Sequence, residues 1–138
     1  MSDTQKEFYK KLLGRVGENQ ACKFLKKKKY KILEKNFACT FGEVDIIAQD
    51  KETIVFVEVK TRSDERFGEP MEAVNDTKQR RIILSAKYYL QKCGINENDT
   101  SVRFDVIEIK NDNGNLTINH IENAFITGTQ VRAFKNGF

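Results

Sequence analysis

Four charged side chains lie close together in residues 42–62, a segment that otherwise has the composition of a sheet core. The segment reads GEVDIIAQDKETIVFVEVKTR, and the charged residues are Glu43, Asp45, Glu58 and Lys60. Two carboxylates held together at the end of a sheet form a site that suits a hard cation such as Mg²⁺. These residue types therefore predict a metal site, provided that the fold brings them together.

The spacing of the four residues predicts a β-hairpin that gathers them into one patch. Strand residues alternate between faces, so Glu43 and Asp45 are expected on one face. A turn centred on residues 51–52 would place Asp45 opposite Glu58 and Glu43 opposite Lys60. Directly opposed side chains lie about 4.5–5.5 Å apart at Cβ. The hairpin would then hold three carboxylates and one ammonium together.

Such a patch has two interpretations. Cross-strand salt bridges on a solvated face are common and contribute little to stability. Against that reading, the continuous apolar run at residues 54–57 is typical of a strand buried on both faces. In addition, Asp45 opposite Glu58 pairs two like charges, which destabilises a sheet unless a cation lies between them. These two features favour a functional site.

Two polar residues, Glu18 and Gln79, are predicted on the sheet-facing sides of helices. Glu18 shares its helix face with apolar residues three, four and seven positions later. It is either a water-capped residue at the end of the buried face or a contributor to the site. Gln79 lies on the inward face of the second helix, with Ile82, Ile83 and Ala86. It is either a polar residue at a helix start or part of the site.

The elements that must position these residues follow the order α-β-β-β-α-β-β. Helices are predicted at residues 3–29 and 75–93, a hairpin at 42–61, and further strands at 30–37, 101–110 and 116–125. The loop at residues 61–74 contains Gly68 and Pro70. Strands flanked by two long amphipathic helices predict an α/β layered fold with a mixed sheet.

Composition limits the class of protein. The 138 residues, 39% hydrophobic and 32% charged, fit one soluble globular domain spanning residues 1–138. No apolar run approaches the roughly 18 residues of a membrane span, and the N-terminus lacks a signal-peptide core, so we expect a cytoplasmic protein without membrane contact. The net charge is +4, and residues 1–35 hold eleven Lys or Arg against four acids, which permits a phosphate-bearing partner.

Other kinds of site have little to build on. The three cysteines form no pair with metal-ligand spacing and are expected to be reduced core residues. His120 is the single histidine, which leaves a histidine-based triad or zinc site without partners and favours a structural role. No GxxxxGK[ST] motif is present, so no nucleotide cofactor is expected.

Asp45, twelve intervening residues and then Glu58-Val59-Lys60 resemble the D…(D/E)-x-K signature of the restriction-endonuclease-like nuclease superfamily. More of the chain resembles one family within it, the YraN-like family of predicted bacterial endonucleases, which are related to archaeal Holliday junction resolvases. The matching segments, in order over residues 14–125, are GRVGENQACKFL, YKILEKNF, GEVDIIAQD, VFVEVKTRS, FGEPMEAVNDTKQRRI, AKYYL, RFDVIEI and HIENAF.

The resemblance implies a restriction-endonuclease-like fold, a central mixed β-sheet flanked by α-helices. It also implies an endonuclease that hydrolyses DNA phosphodiester bonds, with branched or junction DNA among its candidate substrates, and a homodimer. The cofactor would be Mg²⁺, with Mn²⁺ as its substitute. Its ligands would be Asp45, Glu58 and the Val59 carbonyl, and Glu18 matches a helix acid that some resolvase-like members add.

The remaining site residues follow from the same resemblance. Lys60 would position or activate the attacking water and stabilise charge at the phosphate. The surrounding carboxylates are expected to keep it protonated, which favours an electrostatic role over general-base catalysis. Glu43 belongs to the GE-(I/V)-D pattern of the family, and Gln79 lies where related nucleases place a polar helix residue.

Five basic residues border the site in sequence and could contact flanking phosphates: Arg15, Arg62, Lys78, Arg80 and Arg81. For each of them, a solvated surface position is an equally good interpretation. No apparatus for reading bases is visible, so recognition of DNA backbone and shape is expected. The alternative function is a nucleic-acid-binding or adaptor module that keeps the nuclease fold without turnover.

Overall fold

The computed structural model describes residues 2–62 and 75–125, and its elements follow the predicted order. They are α1 (Asp3–Lys27), β1 (Lys31–Cys39), β2 (Gly42–Asp50), β3 (Thr53–Arg62), α2 (Asp76–Lys92), β4 (Ser101–Asp112) and β5 (Asn115–Ile121). The last strand ends at Ile121 rather than at residue 125. Most of the loop predicted at residues 61–74 lies outside the described residues.

The five strands form one mixed sheet in the order β1-β2-β3-β4-β5. The pairs β1–β2, β2–β3 and β4–β5 are antiparallel, whereas β3 and β4 are parallel. A parallel pair needs a long crossover connection, and α2 provides it. The prediction of an α/β fold with a mixed sheet flanked by helices is therefore confirmed.

One helix packs on each face of this sheet, and β3 contributes to both interfaces. Ile54 and Phe56 pack in the core beneath α2, whereas Val55 and Val57 pack in the core beneath α1. All four are buried. The apolar run predicted as a strand buried on both faces is confirmed, so the charged residues that follow it begin at the margin of a dry core.

Both helices start at capped N-termini. At α1 the Ser2 hydroxyl accepts a hydrogen bond from the Gln5 N–H (3.1 Å), and the Gln5 side chain accepts one from the Ser2 N–H (2.8 Å), a capping box. At α2 the Asn75 side chain accepts a hydrogen bond from the Lys78 N–H (2.9 Å). The cap fixes where α2 begins, and therefore where the side chain of Lys78 originates.

Helix α1 reaches the sheet at Gly17, beside the end of β3. A Cβ at this position would clash with the hydroxyl of Thr61, so glycine permits the close crossing. After the crossing Ala21 and Leu25 are buried. Before it the helix is uninterrupted but leaves its apolar residues in solvent, with Phe8 69% exposed. The helical periodicity was predicted correctly in this half, but no described strand packs beneath it.

A buried polar network joins β4 to β5. The Asp105 carboxylate accepts hydrogen bonds from the Arg103 guanidinium (2.9 Å to Nε) and the Asn123 N–H (3.1 Å), and it lies 2.7 Å from Nε2 of His120. Arg103 also donates to the Tyr30 hydroxyl (2.6 Å). His120 is therefore engaged in holding the sheet together, as expected of a structural residue.

The three cysteines differ in exposure. All are free, with Cys22 buried, Cys39 half-buried and Cys93 exposed. The expectation of three core cysteines is wrong for Cys93, because it caps the C-terminus of α2 and lies outside the packed face of that helix. Neither described helix is long and apolar enough to cross a membrane.

Candidate functional site

A cleft of about 600 Å³ opens where the start of β2, the second half of β3 and the first turns of α2 meet. The lining residues are Gly42, Glu43, Asp45, Glu58, Asn75, Thr77, Lys78, Arg81 and Ile82. Three of them are predicted acids from the hairpin, and two are predicted cations from α2. The fold thus brings together residues that are up to 40 positions apart in sequence.

The hairpin has the predicted register over the residues of β2 and β3 that pair with each other. Cα partners run from Asp50–Thr53 at the turn to Ile46–Val57, so Asp45 and Glu58 occupy the next position. The ladder ends there, and Oδ2 of Asp45 instead accepts a hydrogen bond from the backbone N–H of Val59 (2.8 Å). The side chain of Asp45 takes over where strand pairing stops.

The predicted pairing of Glu43 with Lys60 is wrong. Glu43 pairs with Ala38 of β1 and is exposed, because β2 has already separated from β3 at this point. Glu43 still lines the cleft. Its charge contributes to raising the pKa of Glu18, so it belongs to the acidic surroundings of the site rather than to a cross-strand ion pair.

An irregularity in β2 explains the separation. Val44 packs beneath α2 and Ile46 beneath α1, although alternate residues of a regular strand share a face. The backbone therefore changes orientation at Asp45. On β1, Asn36 lies between the partners of Val44 and Ile46 and has a φ of 54°, which asparagine adopts more readily than most residues. Glu43 and Asp45 nevertheless line the same cleft.

Burial and the charge of Glu58 raise the pKa of Asp45 to about 7, although the Val59 N–H favours its ionised form. Two carboxylates close together in a desolvated position disfavour double ionisation. The site therefore requires a positive charge between them, which is the electrostatic setting that a bound cation relieves.

Glu58 is 5% exposed and has two lysines beside it. Nζ of Lys78 lies 2.7 Å from its Oε1, and Nζ of Lys60 lies 3.7 Å from the same oxygen. The sequence placed Lys78 among phosphate-contacting residues, but here it pairs with an acid at the centre of the site. Lys78 reaches Glu58 because the first turn of α2 approaches the end of β3.

The surroundings of Lys60 differ from the expected ones. Burial, and next the neighbouring Lys78, lower its pKa, whereas the carboxylates were expected to keep it protonated. Burial contributes most to this lowering, and the short contact of Lys78 with Glu58 leaves Lys60 the longer one. The pKa of Lys60 is thus shifted in the direction opposite to the one expected from the carboxylates alone.

Glu18 completes the group of acids. It is half-buried on α1. Burial raises its pKa, a hydrogen bond with Asn36 opposes this, and the charges of Glu43 and Glu58 add to the increase. Within residues 2–62 and 75–125, however, no three acid, histidine or cysteine side chains converge tightly enough to hold a metal by themselves.

A metal at this site would therefore need further oxygen ligands. Mg²⁺ is commonly bound through one or two carboxylates together with water and substrate phosphates, a donor set that Asp45 and Glu58 fit. The N–H and C=O of one strand residue point toward the same neighbouring strand. Because the N–H of Val59 faces Asp45, the carbonyl of Val59 also lies on the side of β3 that faces Asp45.

The other predicted cations differ in whether they line the cleft. Arg15, Arg80 and Arg81 are all exposed, and of these three only Arg81 lines the cleft. The side chain of Arg62 is only 12% exposed, and its Nε lies 3.7 Å from Oε2 of Glu108. Gln79 follows Lys78 on α2 and is half-buried. It is not among the residues that line the cleft.

Glu108 was missed in the sequence. It is 1% exposed, pairs with Lys60 in the β3–β4 register, and its two carboxylate oxygens have no hydrogen-bond partner among the described residues. An acid within the otherwise apolar stretch VIEI of a predicted strand was the available signal. Glu108 places a buried carboxyl group one strand away from the site.

Comparisons with known proteins agree on one family. The model of the "Uncharacterised protein family UPF0102" matches residues 17–109. A UPF0102 protein of Alkaliphilus oremlandii is 50% identical over 115 residues, which cover 83% of this chain and 98% of that protein. A second UPF0102 protein, from Caldanaerobacter subterraneus, is 48% identical over 123 residues, which cover 87% of this chain and 99% of that protein. The crystal structure of SSO0001 aligns with this chain at 16% identity and a TM-score of 0.41, and the alignment covers 96% of this chain and 62% of that one. This similarity is too distant to assign a fold.

Proposed function

The chain belongs to the UPF0102 family, which confirms the predicted YraN-like membership, and we propose that it is a metal-dependent endonuclease acting on DNA. The observation that carries this proposal is the pair of carboxylates at the end of the β2–β3 ladder. Asp45 has a pKa raised to about 7 by burial and by Glu58, and Lys60 lies on the same strand as Glu58. Asp45 and Glu58 line one open cleft, as hydrolysis of a polymer requires.

Under this proposal the fold is restriction-endonuclease-like, and the cofactor is Mg²⁺ or Mn²⁺ held by Asp45, Glu58 and the Val59 carbonyl. A divalent cation in this position would polarise the scissile phosphate and lower the pKa of a bound water. Glu18, near enough for its charge to raise the pKa of Asp45, would orient water in the outer part of the site.

The protein side chains would handle the proton and the substrate charge. Lys60, with its lowered pKa, would take the proton of the attacking water or stabilise charge on the phosphate. Arg81 at the cleft wall would hold a neighbouring phosphate. Contacts of this kind do not read sequence, so the shape of the DNA backbone would select the substrate.

Cleavage assays on four-way junction, flap and linear duplex DNA, with Mg²⁺ or Mn²⁺, test the proposal. The wild-type protein should cut at least one of these substrates, and EDTA should abolish cleavage. Asp45→Ala should reduce the rate by about 10²-fold or more, because losing even a residue that only orients a metal ligand costs about 10–100-fold. Lys23→Met, which changes an exposed lysine of α1, is the matched control. Cleavage that survives Asp45→Ala unchanged would reject the proposal.

One observation favours a second function, a DNA-binding module without turnover. Lys78 already provides a positive charge to Glu58 at 2.7 Å, so the acids are partly compensated without a metal. DNA binding that is salt-sensitive, indifferent to divalent cations and unaccompanied by cleavage would support this alternative.

A further inference from the structure

The ammonium of Lys78 occupies the place where a cation would be needed. It is 2.7 Å from Oε1 of Glu58, the distance of a strong charge-assisted hydrogen bond. Glu58 is almost completely buried, and a buried carboxylate without a counter-charge is strongly destabilising. Lys78 therefore satisfies, in the metal-free protein, the same requirement that a divalent cation would satisfy.

The position of Lys78 in the fold allows its side chain to move. Its backbone is fixed, because its N–H donates to the Asn75 cap at the start of α2. Its side chain, however, is 38% exposed and borders the open cleft. The ammonium can leave Glu58 by rotation about side-chain bonds, without any change in helix or sheet.

Lys60 provides the comparison within the same site. Its Nζ lies 3.7 Å from the same Oε1, beyond hydrogen-bond distance, and its side chain is 26% exposed. A cation that binds Glu58 must therefore break the contact with Lys78, whereas it need only approach Lys60. The two lysines carry the same charge but should obstruct a metal to different degrees.

We propose that Lys78 is the resident counter-ion of the metal-free site, that a divalent cation displaces its ammonium from Glu58, and that the released ammonium then binds a phosphate of the DNA. This inference rests on the metal binding of the proposed function. It gives Lys78 two alternating partners, a carboxylate in the free protein and a phosphate in the complex.

Coupling between metal and DNA follows from this exchange. A metal that frees Lys78 adds a positive contact for DNA, so the metal should increase DNA affinity. By linkage, DNA should increase metal affinity by the same factor. Part of this coupling should depend on Lys78 alone, beyond the general effect of neutralising two carboxylates.

The first experiment measures Mn²⁺ binding to the intact protein by titration calorimetry or electron paramagnetic resonance, without DNA. Lys78→Met should bind Mn²⁺ at least about tenfold more tightly than wild type, because one charge-assisted hydrogen bond no longer has to be broken. Lys60→Met, which removes the same charge from a longer contact, should bind less than about fivefold more tightly. Lys23→Met should match wild type.

The same variants have a second readout in their stability. Lys78→Met should lower the melting temperature in EDTA, since Glu58 loses its counter-ion, and Mn²⁺ should raise it by more than it raises that of wild type. Lys78→Gln, which keeps a hydrogen-bond donor toward Glu58, is the second variant. It is used for titration if Lys78→Met does not fold in metal-free buffer.

The second experiment measures DNA affinity with and without Ca²⁺, a hard divalent cation that carboxylate oxygens bind. Ca²⁺ should tighten DNA binding by wild type more than by Lys78→Met. In the presence of Ca²⁺, the salt dependence of wild type should exceed that of the variant by about one phosphate contact.

Each outcome is decisive. If Mn²⁺ binds wild type but binds Lys78→Met no more tightly than Lys60→Met, the displacement is rejected while the proposed nuclease function stands. If Ca²⁺ tightens DNA binding equally in wild type and Lys78→Met, the release to phosphate is rejected. If neither Mn²⁺ nor Ca²⁺ binds any of these proteins, the metal-dependent function itself is rejected, and this inference with it.

Discussion

The backbone N–H of Val59 donates a 2.8 Å hydrogen bond to Oδ2 of Asp45, directly beyond the last pair of the β2–β3 ladder. A side chain thereby takes the place of a backbone acceptor, and the carboxylate is fixed at the margin of the core. The side chain of Asp45 also lines the cleft. The relationship makes Asp45 a residue with both a structural and a chemical role, which can be separated by substitution.

Asp45→Asn should separate these roles through the pH dependence of stability. The pKa of Asp45 is raised to about 7, first by burial and next by Glu58. The folded protein therefore holds this proton between about pH 4 and pH 7 while the unfolded chain releases it, so stability falls as the pH rises through that window. Asparagine keeps an acceptor for the Val59 N–H and has no charge to desolvate.

We expect metal-free Asp45→Asn to exceed wild type in unfolding free energy at pH 8 by on the order of 1–3 kcal/mol, at about 1.4 kcal/mol per pKa unit. The advantage should vanish near pH 4. Urea denaturation from pH 4 to pH 8 measures it, and Glu52→Gln in the exposed hairpin turn is the control. Parallel stability curves for Asp45→Asn and wild type would contradict the electrostatic account of the site.

Arg81→Met and Arg80→Met should differ in DNA binding although the residues are adjacent on α2. Both side chains are exposed, but only Arg81 of the two lines the cleft. Loss of a phosphate contact should weaken binding about equally for all sequences and lower the salt slope by about one. We expect this for Arg81→Met and a smaller effect for Arg80→Met, measured by fluorescence anisotropy at several salt concentrations. A larger effect at Arg80 would place the DNA on another surface.

Gly17→Ala should destabilise the protein, because its Cβ would clash with the Thr61 hydroxyl where α1 crosses β3. Overpacking of this kind costs about 1–3 kcal/mol. Gly14→Ala is the matched control, since no atom lies within 4 Å of a Cβ there, and alanine should stabilise that helix position by up to about 1 kcal/mol. Thermal unfolding measures both.

Thr61→Ala should rescue Gly17→Ala if the clash with the hydroxyl is the cause. In a double-mutant cycle the interaction energy should then be favourable and comparable to the loss in the single variant. A Gly17→Ala variant as stable as Gly14→Ala would show that α1 can shift without cost at the crossing.

Asp105→Asn should be among the most destabilising substitutions in the sheet. Burial alone would raise the pKa of Asp105, but hydrogen bonds from His120, Arg103 and the Asn123 N–H outweigh burial and lower it. Disrupting such a buried charged network costs about 3–5 kcal/mol. Because the carboxylate is stabilised in the folded state, its contribution is present above pH 4 and is lost as the pH falls through its lowered pKa.

Chemical denaturation at pH 7 and at pH 3 measures this loss, with Asp112→Asn at the exposed end of β4 as the control. The difference between wild type and Asp105→Asn should be large at pH 7 and smaller at pH 3. An equal difference at both values would mean that shape, rather than charge, determines the role of Asp105.

The local part of the site could be predicted from the sequence. The register of the β2–β3 hairpin depends on one short turn and on two apolar arms, so counting residues from the turn gave the correct pairs as far as Ile46 and Val57. Beyond them the count failed for Glu43. The irregularity at Asp45 depends on the backbone of Asn36 in a third strand, which hairpin spacing does not contain.

Contacts between distant elements could not be predicted in the same way. The pairing of Lys78 with Glu58 depends on how closely the capped start of α2 approaches the end of β3. The burial of Glu108 depends on the pairing of β4 with the parallel strand β3. Helical periodicity likewise identified Phe8 and Leu12 as one face of α1, but it does not tell whether a sheet lies beneath that face.

The crossing of α1 over β3 at Gly17 divides one continuous helix into two parts of different local stability. Residues 18–27 are supported by tertiary packing, so their amide hydrogens should exchange with deuterium only in large-scale opening. Within residues 2–62 and 75–125, the support for residues 3–16 comes mainly from the capping box and from intrinsic propensity. A helix of this length is marginal in water. A protection gradient along a single helix should follow, with fast exchange toward Ser2 and a sharp increase in protection at the glycine.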